Sequence, residues 1–465
     1  MRASIFVAAL LISVSGLALA QDRQEVVAPR TVYWMSATTG SGMIGMRGGM
    51  DALAMARGGV ASSTTLNLEI ASQDRPTRGG VEATHTVPAA ARLGPDLRLG
   101  PNGDVPREPG TPGDDFEQPR GRLFLFYGCG ERAGRGQPIV IDFARVAAGQ
   151  MPAGLESRVT AARTPNPPSE RGWPSVAFGP RFGMMESNTT IPRGGSIVGD
   201  HRVRSSMASD IRFSLASDYD VLAPIAFSRN APNPSGSVGL AWSAIPRATG
   251  YALAAFAQGD REGDMVYWSS SAVQTWDASV MQFLAPDEAA RLVRERVLLA
   301  PSTTECTVPL EAARAMGVGS SDEERGGMLF MTAFGPEANF VDPARPSDPR
   351  TPWRQNWAAK VRLNSVSVDG LGRSMMAGMT DMAGAMPRDP LTETAPPSGM
   401  SQQAWCQERA QARRSQQGQS GGSAVGEAIG GATGIPGAGM AGRALGGMLG
   451  RNRNPSPPAD PYCPT

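Results

Sequence analysis

SVGLAWSAIPRATGYALAA, running from Ser237 to Ala255, reads as two β-strands joined by a tight connection. Val238, Leu240 and Trp242 fall on one face, and Gly239, Ala241 and Ser243 fall on the other. That is the period of two that a pleated strand imposes. Ile245 to Gly250 breaks it, because Pro246 holds φ near one value and Gly250 tolerates a positive one. Tyr251, Leu253 and Ala255 then resume the alternation. Trp242 is therefore expected in a core, with Tyr251 at least partly buried.

Working outward, the same period predicts strands at Thr31 to Met35, Thr64 to Ile70, Leu123 to Tyr127 and Ile139 to Phe143. Further strands are expected at Ser196 to Val198, Asp210 to Leu215, Tyr219 to Ile225, Met265 to Ser270, Met328 to Phe334 and Ala358 to Leu363. Helices are expected at Pro286 to Arg296, where Asp287 and Glu288 suit the first turn, and at Pro309 to Met316. Arg75 to Arg120 is dominated by Pro, Gly and Asp, and reads as a long excursion or mobile loop. Arg229 to Gly236 is a linker by composition.

The W-x-x-I-P-x-A-x-G-Y spacing from Trp242 to Tyr251 resembles the B-to-C strand pair of fibronectin-type and related β-sandwiches. The expected fold is mainly β, with two sandwich-like (fibronectin/immunoglobulin-like) domains, short helices and a low-complexity C-terminal tail. In sequence these are an N-terminal extension over 21–120, a first β-domain over 121–228, a linker over 229–236 and a second β-domain over 237–369. A Met-rich and polar linker over 370–420, a glycine-zipper-like hairpin over 421–450 and a disordered end over 451–465 follow.

Residues 1–20 read as a secretory signal peptide: Arg2, an apolar run from Ile5 to Val14, and Ala18-Leu19-Ala20 before Gln21. Export places the protein in the periplasm, the outer membrane or the extracellular space. Four cysteines in an exported chain point to disulfides, and sequence alone leaves three pairings open. Cys129–Cys306 and Cys406–Cys463 are the expected pairs, since the first two flank strands and the last two share the tail. The net charge of +1 gives no basic face for nucleic acid. Lys360 is the only lysine, which removes any phosphate loop of the Gly-Lys-Ser/Thr type and leaves one residue for Schiff-base chemistry.

The blocks Tyr127-Gly-Cys-Gly-Glu131, Gly136-Gln-Pro138 and Ile141-Asp-Phe143 recur with Thr304-x-Cys-Thr-Val-Pro309 and Gly335-Pro-Glu-Ala-Asn-Phe340. Together they resemble an uncharacterised family of exported alphaproteobacterial proteins. The resemblance implies export and spans the two β-domains, and it brings no activity, ligand or catalytic residue.

Candidate chemistry is sparse. Gly128 to Gly134 follows a strand and matches a dinucleotide-loop spacing, but another strand follows where a helix is required, so a glycine-rich hairpin is expected. His85 and His201 are the only histidines, which excludes a His-rich zinc site. A Ser/His/Asp site would need one of them, for example at Asp200-His201. Trp268, Trp276, Trp353 and Trp357 are read as core or flap residues before a sugar-stacking face. Two methionine clusters contain the weak metal candidates Met43, Met46, Met50, Met375, Met379 and Met382, whose thioethers suit Cu(I).

The tail has the most regular pattern. Gly426, Gly430, Gly434, Gly442 and Gly446 recur at multiples of four, resembling the glycine-zipper segments of bacterial envelope proteins. Ile435-Pro436-Gly437 breaks the ladder and predicts an antiparallel hairpin that brings Glu427 level with Arg443. The expected function is a non-enzymatic envelope binding or scaffold protein with an unspecified protein or glycan ligand. Its tail would touch a membrane or self-associate. A periplasmic copper-handling protein and a secreted hydrolase are the alternatives.

Overall fold

The computed structural model describes residues 24–45, 62–74, 76, 80–101, 121–150, 162–178, 190–275, 281–319, 326–372, 401–403 and 405–407. The described residues open on β1 (Val26–Val27), the long β2 (Thr31–Gly42) and β3 (Ser62–Ser72). Two hairpins follow, β4 (Ala83–Thr86) with β5 (Asp96–Pro101) and β6 (Arg122–Tyr127) with β7 (Ile139–Asp142), the latter running into helix α1 (Phe143–Ala147). β8 (Ser175–Phe178) and β9 (Thr190–Ile191) precede the hairpin β10 (Gly199–Ser205) and β11 (Ala208–Leu215). Next come β12 (Phe227–Pro232), β13 (Val238–Trp242), β14 (Gly250–Gln258) and β15 (Met265–Ser269). Helix α2 (Pro286–Arg294), β16 (Glu305–Val308) and helix α3 (Leu310–Ala315) lead to β17 (Met328–Asp342), β18 (Trp353–Arg354) and β19 (Trp357–Gly370). The fold is mainly β with few short helices.

β13 and β14 are consecutive but belong to opposite sheets. β13 lies between β12 and β16 in a three-stranded sheet, while β14 lies between β17 and β15 in a fourteen-stranded one. Immunoglobulin-type sandwiches place their second and third strands in the same relation. Val238, Leu240, Trp242 and Val308 from the small sheet share one core with Leu253, Ala255, Leu329 and Met331 from the large one. The large sheet runs β11-β10-β4-β5-β8-β3-β2-β19-β17-β14-β15-β6-β7. It curls back on itself, and Phe213 of β11 stacks on Phe340 of β17 with centroids 4.9 Å apart. The result is two sandwich-like lobes that share β17 and β19.

The sequence boundaries do not become boundaries of the sheet. β6, from the 121–228 stretch, pairs in parallel with β15, and β2, from the N-terminal extension, pairs in parallel with β19 from Thr31↔Trp357 to Gly42↔Val368. An unpaired strand edge exposes a row of N–H and C=O groups, and pairing with distant segments removes that cost. Within 75–120, read as a loop, β4 and β5 form a hairpin with His85 opposite Leu97. β12 occupies part of the expected 229–236 linker. The expected strand at Tyr219 to Ile225 is absent, although Leu222 and Ile225 are buried. The expected strand at Ser196 to Val198 begins only at Gly199.

The crossover between β13 and β14 also differs from its sequence reading. The positive φ falls on Arg247, at 67°, and not on Gly250. A left-handed non-glycine residue costs roughly 1–2 kcal/mol. Arg247 offsets this through its guanidinium, which donates to the carbonyls of Ser217, Asp218, Asp220 and Val221 at 2.8–3.3 Å. Gly250 is needed for close approach instead, since a Cβ there would lie 3.1 Å from Val293 Cγ2 and 3.3 Å from the Leu299 carbonyl oxygen.

Cys129 and Cys306 form a disulfide with Cα atoms 5.1 Å apart, joining the β6–β7 connection to β16. The Gly130 N–H donates to the Thr307 carbonyl at 2.8 Å, and the Leu310 N–H to the Glu131 carbonyl at 3.1 Å. This glycine-rich segment is thus a hairpin connection docked on α3, with no helix for a pyrophosphate to meet. Cys406 is also disulfide-bonded, and its expected partner Cys463 lies outside the described residues. Among the described residues, no helix is long and apolar enough to cross a membrane.

Candidate functional site

The outer face of the four central strands β3, β2, β19 and β17 is polar over part of its area, and at Phe334 it passes under the apolar cluster formed with Leu284, Ala289 and Leu292. Strand alternation puts Tyr33, Met35, Leu68, Ile70, Val361 and Leu363 into the core. Their neighbours must then point outward. Register aligns these outward residues in rows. Glu69, Trp34, Lys360 and Asn339 form one row; Asn67, Ser36, Arg362 and Glu337 form the next. Thr65, Thr38, Asn364 and Phe334 form a third.

Arg362 occupies the centre. Its guanidinium carbon lies 4.2 Å from the Trp34 ring centroid and 4.5 Å from that of Phe283, so two aromatic rings pack against it. Nε and Nη2 both donate to Ser36 Oγ, at 3.1 and 2.9 Å. Burial holds its pKa down to about 10, against the opposing pull of Glu69 and Glu337. Neither carboxylate contacts it. Glu337 pairs with Lys360 and accepts from Asn339 Nδ2 at 2.9 Å. Glu69 accepts from Ser169 Oγ at 2.8 Å and Asn67 Nδ2 at 3.3 Å. Asn364 Oδ1 and Thr332 Oγ1, on the same face, are buried without hydrogen-bond partners.

A second polar group lies inside the curled lobe. Tyr33 Oη, His85 Nδ1 and Nε2, His201 Nδ1 and Nε2, and the Ile197 carbonyl form one chain, with links of 2.7, 2.9 and 2.8 Å. The carbonyl can only accept, so His201 Nε2 carries a proton. With both rings neutral, His85 Nε2 then donates to His201 Nδ1, and Tyr33 donates to His85 Nδ1. Burial lowers the pKa of both histidines and raises that of Tyr33. Both nitrogens of His201 are occupied, so Asp200-His201 assembles no Ser/His/Asp site.

This chain links stability to pH. The folded-state pKa values of both histidines lie below the ordinary 6.5, so the unfolded chain binds more protons under acid. Their stabilisation is present above pH 6.5 and is lost as pH falls through the folded values. The loss approaches about 1.4 kcal/mol per pH unit for each histidine. Urea unfolding from pH 7.5 to 5 should show this slope, and His85→Phe should reduce it. A slope unchanged by that substitution would refute the assignment.

The other sequence candidates do not converge on a site. Trp268 and Trp357 are buried, while Trp276 lies outside the described residues. Met35 belongs to the core, and Met43 sits half-buried in the turn after β2. Met46, Met50, Met375, Met379 and Met382 lie outside the described residues, as do Gly426, Gly430, Gly434, Gly442, Gly446, Glu427 and Arg443. The Arg362 grid was missed because its residues are far apart in sequence. Its local signal was the polar alternation Lys360, Arg362, Asn364 between Val361 and Leu363. Neither a known protein family nor a curated protein matches the chain.

Proposed function

We propose that this chain is an exported cell-envelope protein that binds or scaffolds without turning over a substrate. The observation that carries this reading is the polar grid around Arg362, built on four paired strands of a rigid sheet. Side chains on strands hold a fixed geometry better than side chains on loops, which suits recognition. The oxidised Cys129–Cys306 pair is compatible with export. The tail, through its small-residue ladder, supplies membrane contact or self-association in this reading.

Fractionation of the native organism, with the intact chain and with a chain lacking 421–465, tests the proposal. The intact protein is expected with the envelope, and the shortened one in the soluble exported fraction. Recovery from the cytosol with reduced cysteines would refute it. Reversing Glu427 or Arg443 singly should weaken tail association in detergent, and reversing both should largely restore it. A double reversal no better than the singles would remove the hairpin from the proposal.

A further inference from the structure

We propose that the outer face of β3, β2, β19 and β17 binds an oxyanion, a carboxylate or phosphate carried by a small polar ligand, through the open edge of the Arg362 guanidinium. The inference deepens the binding reading above and rests on it.

A guanidinium has five N–H donors in one plane. Two of those on Arg362 are directed to Ser36 Oγ, and Nη1 meets no acceptor among the described residues. Trp34 and Phe283 pack against the guanidinium, and its remaining N–H donors point outward in its plane. In-plane approach is how carboxylate and phosphate oxygens meet arginine. A desolvated charge without a contact partner is costly unless an opposite charge joins it. Glu337 stands directly opposite Arg362 in the ladder, yet it pairs with Lys360. Glu69 is taken by Ser169 and Asn67. The site therefore leaves its central cation for a group from outside. Arg362 is only half-buried, so solvent reaches part of it.

The neighbours narrow the ligand. Asn364 Oδ1 lies two residues along the same strand face and is a buried acceptor with no donor. Thr332, opposite Val366, is too far along the strand to take part. Buried polar atoms in native proteins are normally paired. A ligand that carries a hydroxyl donor beside its oxyanion serves Asn364 as well as Arg362, as an acidic sugar or hydroxy acid does.

The test uses the full chain without its leader. Glucuronate, inorganic phosphate and neutral glucose are titrated by calorimetry and by thermal shift. Saturable binding of glucuronate without binding of glucose is the expected result. Binding of phosphate alone also supports oxyanion recognition and assigns the group as phosphate. Arg362→Lys should weaken binding at least about tenfold, because an ammonium lacks the planar fork. Ser36→Asp should place a carboxylate against Nε and Nη2, raise the thermal midpoint and abolish the anion response. This second variant decides the matter if Arg362→Lys does not fold. Failure of both anions to bind, or binding that survives Ser36→Asp, overturns the proposal. Fractionation is an independent readout: an envelope location without anion binding refutes this site alone, and anion binding by a cytosolic protein refutes the envelope reading alone.

Discussion

Trp242→Ala should lower the free energy of unfolding by about 3–5 kcal/mol, the range for large aromatic truncations in a core. Trp242 is 3% exposed and lies between the two sheets of one lobe. Its ring meets Phe227 and Tyr251 edge-on, with centroids 6.4 and 5.7 Å apart. Truncation would open a cavity on one side of Tyr251, whose hydroxyl accepts the Ile245 N–H at 3.0 Å. That hydrogen bond holds the crossover against β14, so the cavity would loosen the connection between the sheets. Trp242→Phe should cost much less. The indole Nε1 is buried without a partner, and removing an unsatisfied donor offsets part of the lost volume. Urea unfolding of both variants checks this. A loss under about 1 kcal/mol for the alanine variant would mean that the ring is not a core element.

Removing the Cys129–Cys306 disulfide, by joint substitution with serine, should cost about 2–5 kcal/mol. The bond spans a sequence separation of 177 residues, so it restricts a large part of the unfolded chain. Chain-entropy scaling puts the effect of so long a loop at roughly 5 kcal/mol, an upper value because unfolded chains keep some structure. The folded geometry should survive. The same connection is held by Gly130 to Thr307, Glu131 to Leu310, and Glu311 to the Ala133 N–H at 2.8 Å. The Trp268 indole also donates to the Gly128 carbonyl at 2.9 Å. The expected signature is a lower denaturant midpoint with an unchanged near-ultraviolet spectrum. Loss of that spectrum in native buffer would mean that the disulfide maintains the folded arrangement as well as its stability.

The sequence by itself determined the mainly β class, the burial of Trp242 and Tyr251 and both longer helices to within two residues at their ends. Each rests on local physics. Alternation, turn chemistry and helix-end preferences act over a few residues and are written in neighbouring positions. Tertiary structure alone decided what stands beside what. Sequence put Tyr33, His85 and His201 in three unrelated segments, one of them inside an apparent loop, and the curled sheet joined them in one hydrogen-bonded chain. It showed a strand from Ala358 to Leu363, without showing that β2 and β17 flank that strand. Pairing over hundreds of residues depends on closing the core and covering strand edges, and a local pattern carries no record of its partner. For the same reason, the positive φ in the decisive stretch fell on Arg247: the carbonyls that stabilise it arrive from residues 217–221, in a segment that the local turn rules do not include.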